Sequence, residues 1–190
     1  RPAQIDDVSV GQSAHAPHPC FATRPDGTYR YHALSDADLE GVRDIGAFPE
    51  TGTRELAAAD YVFQIKRMCD PTLPSPCPIL ETLAKYVDGM EEFAGALRED
   101  LARIRAARKE AKGIGYIQEA DERENPIVLD YDAHPFPGAE VVDRTTYRIV
   151  LKRKYPQLRY WLAMPFFSPL PWEAERFFRQ GPMIDRNLLL

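Results

Sequence analysis

The clearest hydrophobic pattern in the chain lies in the stretch ELAAADYVFQIKRM, residues 55–68. Its apolar residues Tyr61, Val62, Ile65 and Met68 are spaced to share one face of a helix. Acidic residues stand early in the stretch and basic residues near its end, which is the order that the helix dipole favours. The pattern therefore predicts an amphipathic helix with one buried face.

A second run of helical spacing follows the proline-rich stretch CDPTLPSPCP, residues 69–78. Its four prolines remove backbone donors and hold the chain extended, so we predict a stiff loop. Beyond the loop, apolar residues recur at helical spacing from Leu80 to Ile104, with an interruption at Gly89 and an end near Gly113. Two helices, or one bent helix, are expected.

The pattern changes to alternation in AEVVDRTTYRIVLKR, residues 139–153. Tyr147, Ile149 and Leu151 alternate with residues of the opposite face, and a central Asp-Arg pair separates two β-branched runs. This arrangement predicts a hairpin with one buried face. We expect that face to pack on the helix that carries Tyr61.

The remaining segments predict shorter elements. Residues 156–164 have the pattern of a short helix, 165–171 of an extended apolar strand, and 172–181 of a final helix that a Gly-Pro pair ends. Residues 1–53 read as loop-rich, and 113–138 as an irregular excursion with a short strand at IVLDY. The order of elements predicts a single α+β unit, a mixed sheet or hairpin with packed helices.

Composition and charge exclude several classes of partner. The chain has 190 residues, 44% of them hydrophobic, and a net charge of −5. An acidic chain lacks the basic surface that binding to nucleic acid or to an anionic membrane requires. The most apolar stretch, Tyr160 to Trp172, is too short for a membrane span and contains three prolines. We expect it to be core.

The cysteines and histidines do not form a recognisable chemical motif. Cys20, Cys69 and Cys77 lack paired C-x-x-C spacing, and no neighbouring residues indicate an activated thiol. His15 and His18 lie near Cys20 in HAPHPC, but the intervening prolines splay neighbouring side chains, so a solvated turn is the better interpretation than a metal site. We predict no catalytic residues, no metal site and no cofactor.

Three blocks of sequence nevertheless resemble one known family in collinear order. They are PHPCF, ELAAADYVFQIKRMCDPTLPSPC and GAEVVDRTTYRIVLKRKYPQLRYWLAMPFFSPLPWEAERF, which together cover about half of the chain. The blocks resemble the extracellular solute-binding proteins of family 5, the periplasmic dipeptide and oligopeptide receptors of ABC importers. The second block is similar to the family's first helix with its Asp-Pro and Ser-Pro-aromatic loop, and the third to its hairpin and the segment after it.

The resemblance implies a fragment of a larger receptor. Family members close two lobes on a peptide or other small solute and deliver it to a membrane-embedded ABC permease, without catalysis. This chain resembles one subdomain of the first lobe, so the second lobe and a G-T-G-P-Y region are expected after Leu190, and residues 98–137 are interpreted as an insertion. The implied location is periplasmic or otherwise extracytoplasmic, either soluble or lipid-anchored through a segment outside this chain.

The resemblance also implies a ligand-contacting loop at Ser75, Pro76 and Cys77. Cys77 stands where the family has an aromatic residue, and Ala57 where it has a helix-capping Thr. In an oxidising compartment Cys69 and Cys77 either stay free or form a disulfide, and the sequence leaves both open.

Two other classes of function remain as alternatives to the receptor. One is a free-standing interaction or scaffold domain that binds a protein partner through the helix at residues 90–112. The other is a hydrolase that uses a thiol.

Overall fold

The structure is a computed structural model that describes residues 55–73 and 77–179. The elements are α1 (Ala58–Arg67), α2 (Leu80–Ala84), α3 (Met90–Lys112), α4 (Gln118–Glu124), β1 (Ala139–Val141), β2 (Tyr147–Ile149), α5 (Leu158–Trp161), a 3-10 turn (Pro165–Phe167) and α6 (Trp172–Phe178). Helices with a small antiparallel sheet confirm the predicted α+β class, although the sheet has only the two strands of the hairpin.

Helix α1 begins where the sequence pattern predicts, despite the missing Thr cap. The Ala57 amide donates to the Asp60 carboxylate over 2.9 Å, so the first-turn acid satisfies one of the otherwise unpaired donors of the helix start. Val62 and Ile65 on the predicted face are buried.

The hairpin packs on α1, as the alternation predicts. Strand β1 pairs with β2 in antiparallel register, with Val141 opposite Tyr147. The rings of Tyr61 and Tyr147 stack, and the Ala58 amide donates to the Arg144 carbonyl over 3.0 Å. On the predicted hairpin face Leu151 is buried, whereas Tyr147 and Ile149 are half-buried, so that face is only partly buried.

Gly89 separates the two helices after the proline-rich loop. Its φ of 65° is left-handed, and a Cβ there would lie 2.7 Å from Cδ of Pro137. Helix α3 starts at the next residue and buries Phe93, whose ring stacks on Phe136 at 4.9 Å between centroids. Of the two predicted alternatives, the structure therefore has two separate helices and not one bent helix.

Three sequence predictions differ from the structure. Residues 127–131 bury alternate side chains, but no described strand pairs with them and Tyr131 begins a turn, so the predicted strand does not form. Residues 165–171 begin with a 3-10 turn instead of a strand. Helix α4 lies in the supposed irregular excursion, where its polar sequence QEADERE gives no amphipathic pattern.

Residues 98–137, interpreted from the sequence as an insertion, contain most of α3, all of α4 and the segment that leads to β1. Within that range Leu101, Ile127, Leu129 and Phe136 are buried in the common core. The loop-rich reading of residues 1–53, the turn with His15 and His18, and the predicted helix end at Gly181 lie outside the described residues. None of the described helices combines the length and apolar content that crossing a bilayer requires.

Candidate functional site

Cys77 lies between the end of α1 and the start of α2. It is half-buried, its Sγ donates weakly to Met68 Sδ over 3.7 Å, and its carbonyl accepts from the Leu80 amide over 3.1 Å. Ser75 and Pro76, the other residues of the predicted ligand loop, lie outside the described residues. Cys69 and Cys77 are both free thiols in this structure.

Neither of these two thiols has the environment of a nucleophile. Burial, reinforced by the nearby Cys77, raises the pKa of Cys69 to about 12. Burial also raises the pKa of Cys77, and the backbone amides of Ile79 and Leu80 only partly offset that effect. Reactive cysteines need a lowered pKa, because the thiolate is the reacting species. Both side chains are therefore protonated at neutral pH.

Asp70 organises the turn at the beginning of the proline-rich loop. One oxygen of its carboxylate, Oδ1, accepts from the amide and the hydroxyl of Thr72, each over 2.7 Å. This side-chain turn is typical of Asp followed by a residue that lacks an amide donor, here Pro71. The other oxygen, Oδ2, is left to accept from elsewhere in the chain.

Arg179, at the end of α6, supplies one donor to that second oxygen. Its Nη2 donates to Asp70 Oδ2 over 2.7 Å, while Nη1 donates to the Thr72 hydroxyl over 2.7 Å and to the Ile127 carbonyl over 3.1 Å. The Tyr131 hydroxyl also donates to Asp70 Oδ2, over 2.6 Å. Arg179 therefore joins three segments of the chain at one buried carboxylate.

The charges in this cluster depend on one another. Burial disfavours the ionised form of Asp70, whose side chain is 0% exposed, but the Arg179 charge and the hydrogen bonds from Tyr131 and Thr72 outweigh burial and lower its pKa. Glu175 also pairs with Arg179, yet burial dominates there and raises the pKa of Glu175. Asp70, Thr72, Tyr131, Glu175 and Arg179 are called the Asp70 cluster below.

A cavity of about 40 Å³ opens beside the Asp70 cluster. It combines aromatic rings with charged groups and is lined by Phe63, Val128, Leu129, Asp130, Tyr131, Asp132, Trp172, Glu175 and Arg176. Lys66 pairs with one of these acids, Asp132, over 3.0 Å. The volume has room for roughly two or three waters, whereas pockets for small-molecule ligands measure about 300–1,000 Å³. The cavity is therefore too small to enclose a solute.

Metal binding finds no support in the residues that the structure describes, since no three His, Cys, Asp or Glu side chains there are grouped to hold an ion. His134, the histidine in that part of the chain, pairs instead with Asp100, with Nε2 2.6 Å from Oδ2. His15, His18 and Cys20 lie outside it.

The sequence did not predict the Asp70 cluster. Asp70 and Arg179 are 109 positions apart, and neither side chain stands in a local pattern that would connect them. The Asp-Pro-Thr turn was visible as part of the proline-rich loop, but its partner was not. Comparison of the chain with protein-family models, with curated proteins and with solved structures finds no match.

Proposed function

We propose that the chain is one subdomain of a non-catalytic, extracytoplasmic solute-binding receptor, which captures a peptide or similar small solute for a membrane-embedded ABC permease. The observation that carries the proposal is that the two large sequence blocks resembling family 5 pack against each other in the residues that the structure describes. The helix of the first large block, α1, packs against β1, β2 and the 3-10 turn of the second large block.

Individual contacts connect these blocks. Gln64 on α1 donates to the Phe166 carbonyl in the 3-10 turn over 2.8 Å, and Tyr61 stacks on Tyr147. Arg179, two residues beyond the second large block, holds the Asp-Pro turn of the first large block through Asp70. Motifs that are distant in sequence thus contact one another in the fold. Such contacts are expected if the motifs belong to one inherited subdomain.

The cavity beside the Asp70 cluster also supports a receptor that binds between lobes. It has aromatic and charged lining groups but far too little volume to bury a solute. A second wall from another lobe would complete such a site, and closure would exclude water from it. The 190-residue chain alone is therefore expected to bind ligand weakly or not at all.

The raised pKa values of Cys69 and Cys77 favour this proposal over a thiol hydrolase, because a protonated thiol is a poor nucleophile. A scaffold role is the second candidate, and one observation favours it. Ile114 is fully exposed and Ile117 largely exposed at the tip between α3 and α4. A partner that binds the 90–112 helix could cover these two side chains.

Native mass spectrometry and calorimetry test the proposal on the protein expressed from the complete gene. Purified under mild conditions, it should carry small solutes that denaturation releases, and a pool of defined tripeptides should bind with a Kd of micromolar or below. The 190-residue chain is the matched control and should not bind. Micromolar binding by that chain alone contradicts the single-subdomain assignment, and no binding by the complete protein contradicts the peptide-receptor function.

The scaffold alternative has its own test. A double variant, Ile114→Ser with Ile117→Ser, should leave solute binding unchanged if the chain is a receptor subdomain. Loss of a co-purifying protein with intact folding would favour the scaffold instead.

A further inference from the structure

Positive charge is concentrated in one stretch of this acidic chain. Residues 144–172 include six basic residues and no acidic residue, although the net charge of the chain is −5. The first three of these basic residues each pair with a carboxylate, namely Arg144, Arg148 and Lys152. The contacts that the structure describes for the guanidinium groups of Arg153 and Arg159 are instead with aromatic rings. Part of the stretch therefore carries positive charge that no described carboxylate offsets.

The fold brings the end of β2 and the residues after it next to Tyr86, in the segment between α2 and α3. Val87 forms a backbone bridge with Leu151, and the Lys152 amide donates to the Tyr86 carbonyl over 2.7 Å. Three exposed basic residues adjoin this backbone pairing, namely Lys85, Arg153 and Lys154. The pairing therefore collects cations from two separate segments of the chain.

The rings of Tyr86 and Tyr155 lie at the centre of these cations. They stack with centroids 3.9 Å apart, and the Trp161 indole N–H donates to the Tyr155 hydroxyl over 2.7 Å. The central guanidinium carbon of Arg153 lies 4.6 Å from the Tyr86 centroid. Because the stacked ring occupies one face of Tyr86, the guanidinium covers the other face, and this cation–π contact restricts the arginine before any partner binds. Lys85, Tyr86, Arg153, Lys154 and Tyr155 are called the Tyr86 surface below.

We propose that the Tyr86 surface binds an acidic segment of a partner protein. A guanidinium that lies over a ring still has N–H donors along its edge, and that edge matches a carboxylate bidentately. Lys85 and Lys154 add two ammonium groups, whose charge attracts further carboxylates of the same segment. Because Tyr86 already orders Arg153, binding costs less side-chain entropy than it would for an unrestrained arginine.

Two observations favour a short acidic polypeptide over a nucleic acid. Both faces of Tyr86 are covered, so a base cannot stack on that ring as bases do in proteins that bind single strands. Glu92 lies 3.7 Å from Lys152 and gives the surface an acidic edge. A long polyanion would continue past this edge onto a chain of net charge −5, whereas a segment with a few carboxylates would not.

Fluorescence anisotropy with a labelled octaglutamate peptide tests the proposal on the 190-residue chain. Octaglutamine is the uncharged control, and an eight-nucleotide thymidine strand is the nucleic-acid control. Octaglutamate should bind at low ionic strength, whereas octaglutamine should not. The affinity for octaglutamate should fall as ionic strength rises from about 0.01 to 0.15 M, because the Debye length shortens from about 30 to about 8 Å.

The test variant is Arg153→Gln with Lys154→Gln, and the matched control is Arg103→Gln with Lys109→Gln. Each double variant removes one arginine and one lysine charge, and Arg103 and Lys109 are exposed residues of α3 outside the Tyr86 surface. We expect the test variant to weaken octaglutamate binding about tenfold and the control to weaken it less than about twofold. Arg153→Lys keeps the charge but loses the planar fork of donors, so its effect should be intermediate.

Three results would overturn the inference. The first is no binding of octaglutamate at low ionic strength, and the second is equal weakening in the two double variants. The third is tighter binding of the thymidine strand than of octaglutamate, if the test variant loses that binding too, since the surface would then be one for nucleic acid.

The inference goes beyond the proposed function and does not rest on it. Solute capture is measured with tripeptides on the protein expressed from the complete gene, whereas the Tyr86 surface is measured with octaglutamate on this chain. A failed tripeptide titration would therefore refute the receptor function and leave the octaglutamate result standing. Octaglutamate binding that depends on Arg153 and Lys154 would in turn not rescue the receptor function.

Discussion

The rings of Tyr61 on α1 and Tyr147 on β2 stack with centroids 5.1 Å apart and planes inclined by 10°. This pair joins the helix of one sequence block to the hairpin of another. Tyr147→Ala should lower the free energy of unfolding by about 2 kcal/mol, because both a half-buried ring and its aromatic partner are lost. Urea denaturation followed by circular dichroism measures the change.

Arg148→Ala is the control for this variant. Arg148 stands next to Tyr147 on the exposed face, and its pair with Glu140 is about half exposed. Its loss should cost less than about 1 kcal/mol. Equal losses for the two variants would show that the stacked pair does not contribute to the core.

The left-handed backbone at Gly89 predicts a large effect from a small substitution. Gly89→Ala places a Cβ 2.7 Å from the rigid ring of Pro137 and puts a non-glycine residue at a left-handed φ. We therefore expect the free energy of unfolding to fall by about 2 kcal/mol or more. Gly95→Ala, in the middle of α3 with its nearest neighbouring atom at 4.0 Å, should instead stabilise by about 0.5–1 kcal/mol. Thermal unfolding of both variants decides, and a stabilising Gly89→Ala would contradict the described turn.

Asp70 should make stability depend on pH at the acidic end. Its folded-state pKa lies below the ordinary value of 3.8, so its contribution is fully present well above pH 3.8 and is lost as pH falls through the folded pKa. Asp70→Asn removes one of the two buried carboxylates that pair with Arg179, Glu175 being the other, and should lower the free energy of unfolding by about 2 kcal/mol at pH 7. The difference in unfolding free energy between wild type and Asp70→Asn should become smaller below about pH 4.

Unfolding free energies from pH 3 to pH 7 test this expectation. Asp143→Asn is a useful control, because the pKa of Asp143 is lowered through its own turn amides without a buried ion pair. A gap between wild type and Asp70→Asn that widened as pH fell would contradict a lowered pKa at Asp70.

Helix α4 should depend on ion pairs with α3 more than on its own sequence. A helix of seven residues, six of them polar, is not stable in isolation. Asp121 pairs with Arg108 at 3.0 Å and with Lys112. Asp121→Asn should therefore accelerate amide hydrogen exchange in residues 118–124 while leaving α1 protected. Glu119→Gln, on the exposed side of α4, is the control and should leave hydrogen exchange in both α4 and α1 unchanged. If exchange in α4 is also unchanged in Asp121→Asn, the ion pairs with α3 do not stabilise the helix.

Cys77→Trp, introduced in the protein expressed from the complete gene, tests the proposal that Cys77 contacts ligand. An aromatic ring adds about 150–250 Å² of surface that a ligand can bury. We expect tighter binding of small peptides and weaker binding of bulky ones, measured by calorimetry with matched tripeptides. If affinity for every peptide is unchanged, Cys77 does not line the site.

The parts of the fold that the sequence predicted are those with a regular pattern in a continuous stretch. Spacing of Val62 and Ile65 identified α1, and alternation at Tyr147 and Ile149 identified the hairpin. Alternation also runs correctly through Ile127 and Leu129, but a strand needs a neighbour to pair with, which periodicity does not report. Helix α4 has no apolar face, so nothing in its sequence separated it from a polar loop.

The candidate site was less predictable, since it is formed by contacts between distant segments. The prediction of Cys77 came from a family resemblance, whereas the Asp70 cluster depends on Arg179 arriving from the end of α6. An arginine in a sequence gives no indication of which acid it will meet. The chemistry of such a site becomes visible only when the topology is known.

The sequence separation of Asp70 and Arg179 has a consequence during synthesis. At about 5–20 residues per second, the 109 positions between them take roughly 5 to 20 s to translate. The Asp70 turn lacks the Arg179 guanidinium throughout that interval, and the α1 face that contacts Tyr147 stays uncovered until the hairpin at residues 139–149 has been made. The nascent chain therefore carries an exposed apolar surface on the ribosome until the hairpin emerges, and in that period it is most prone to aggregation and to chaperone binding.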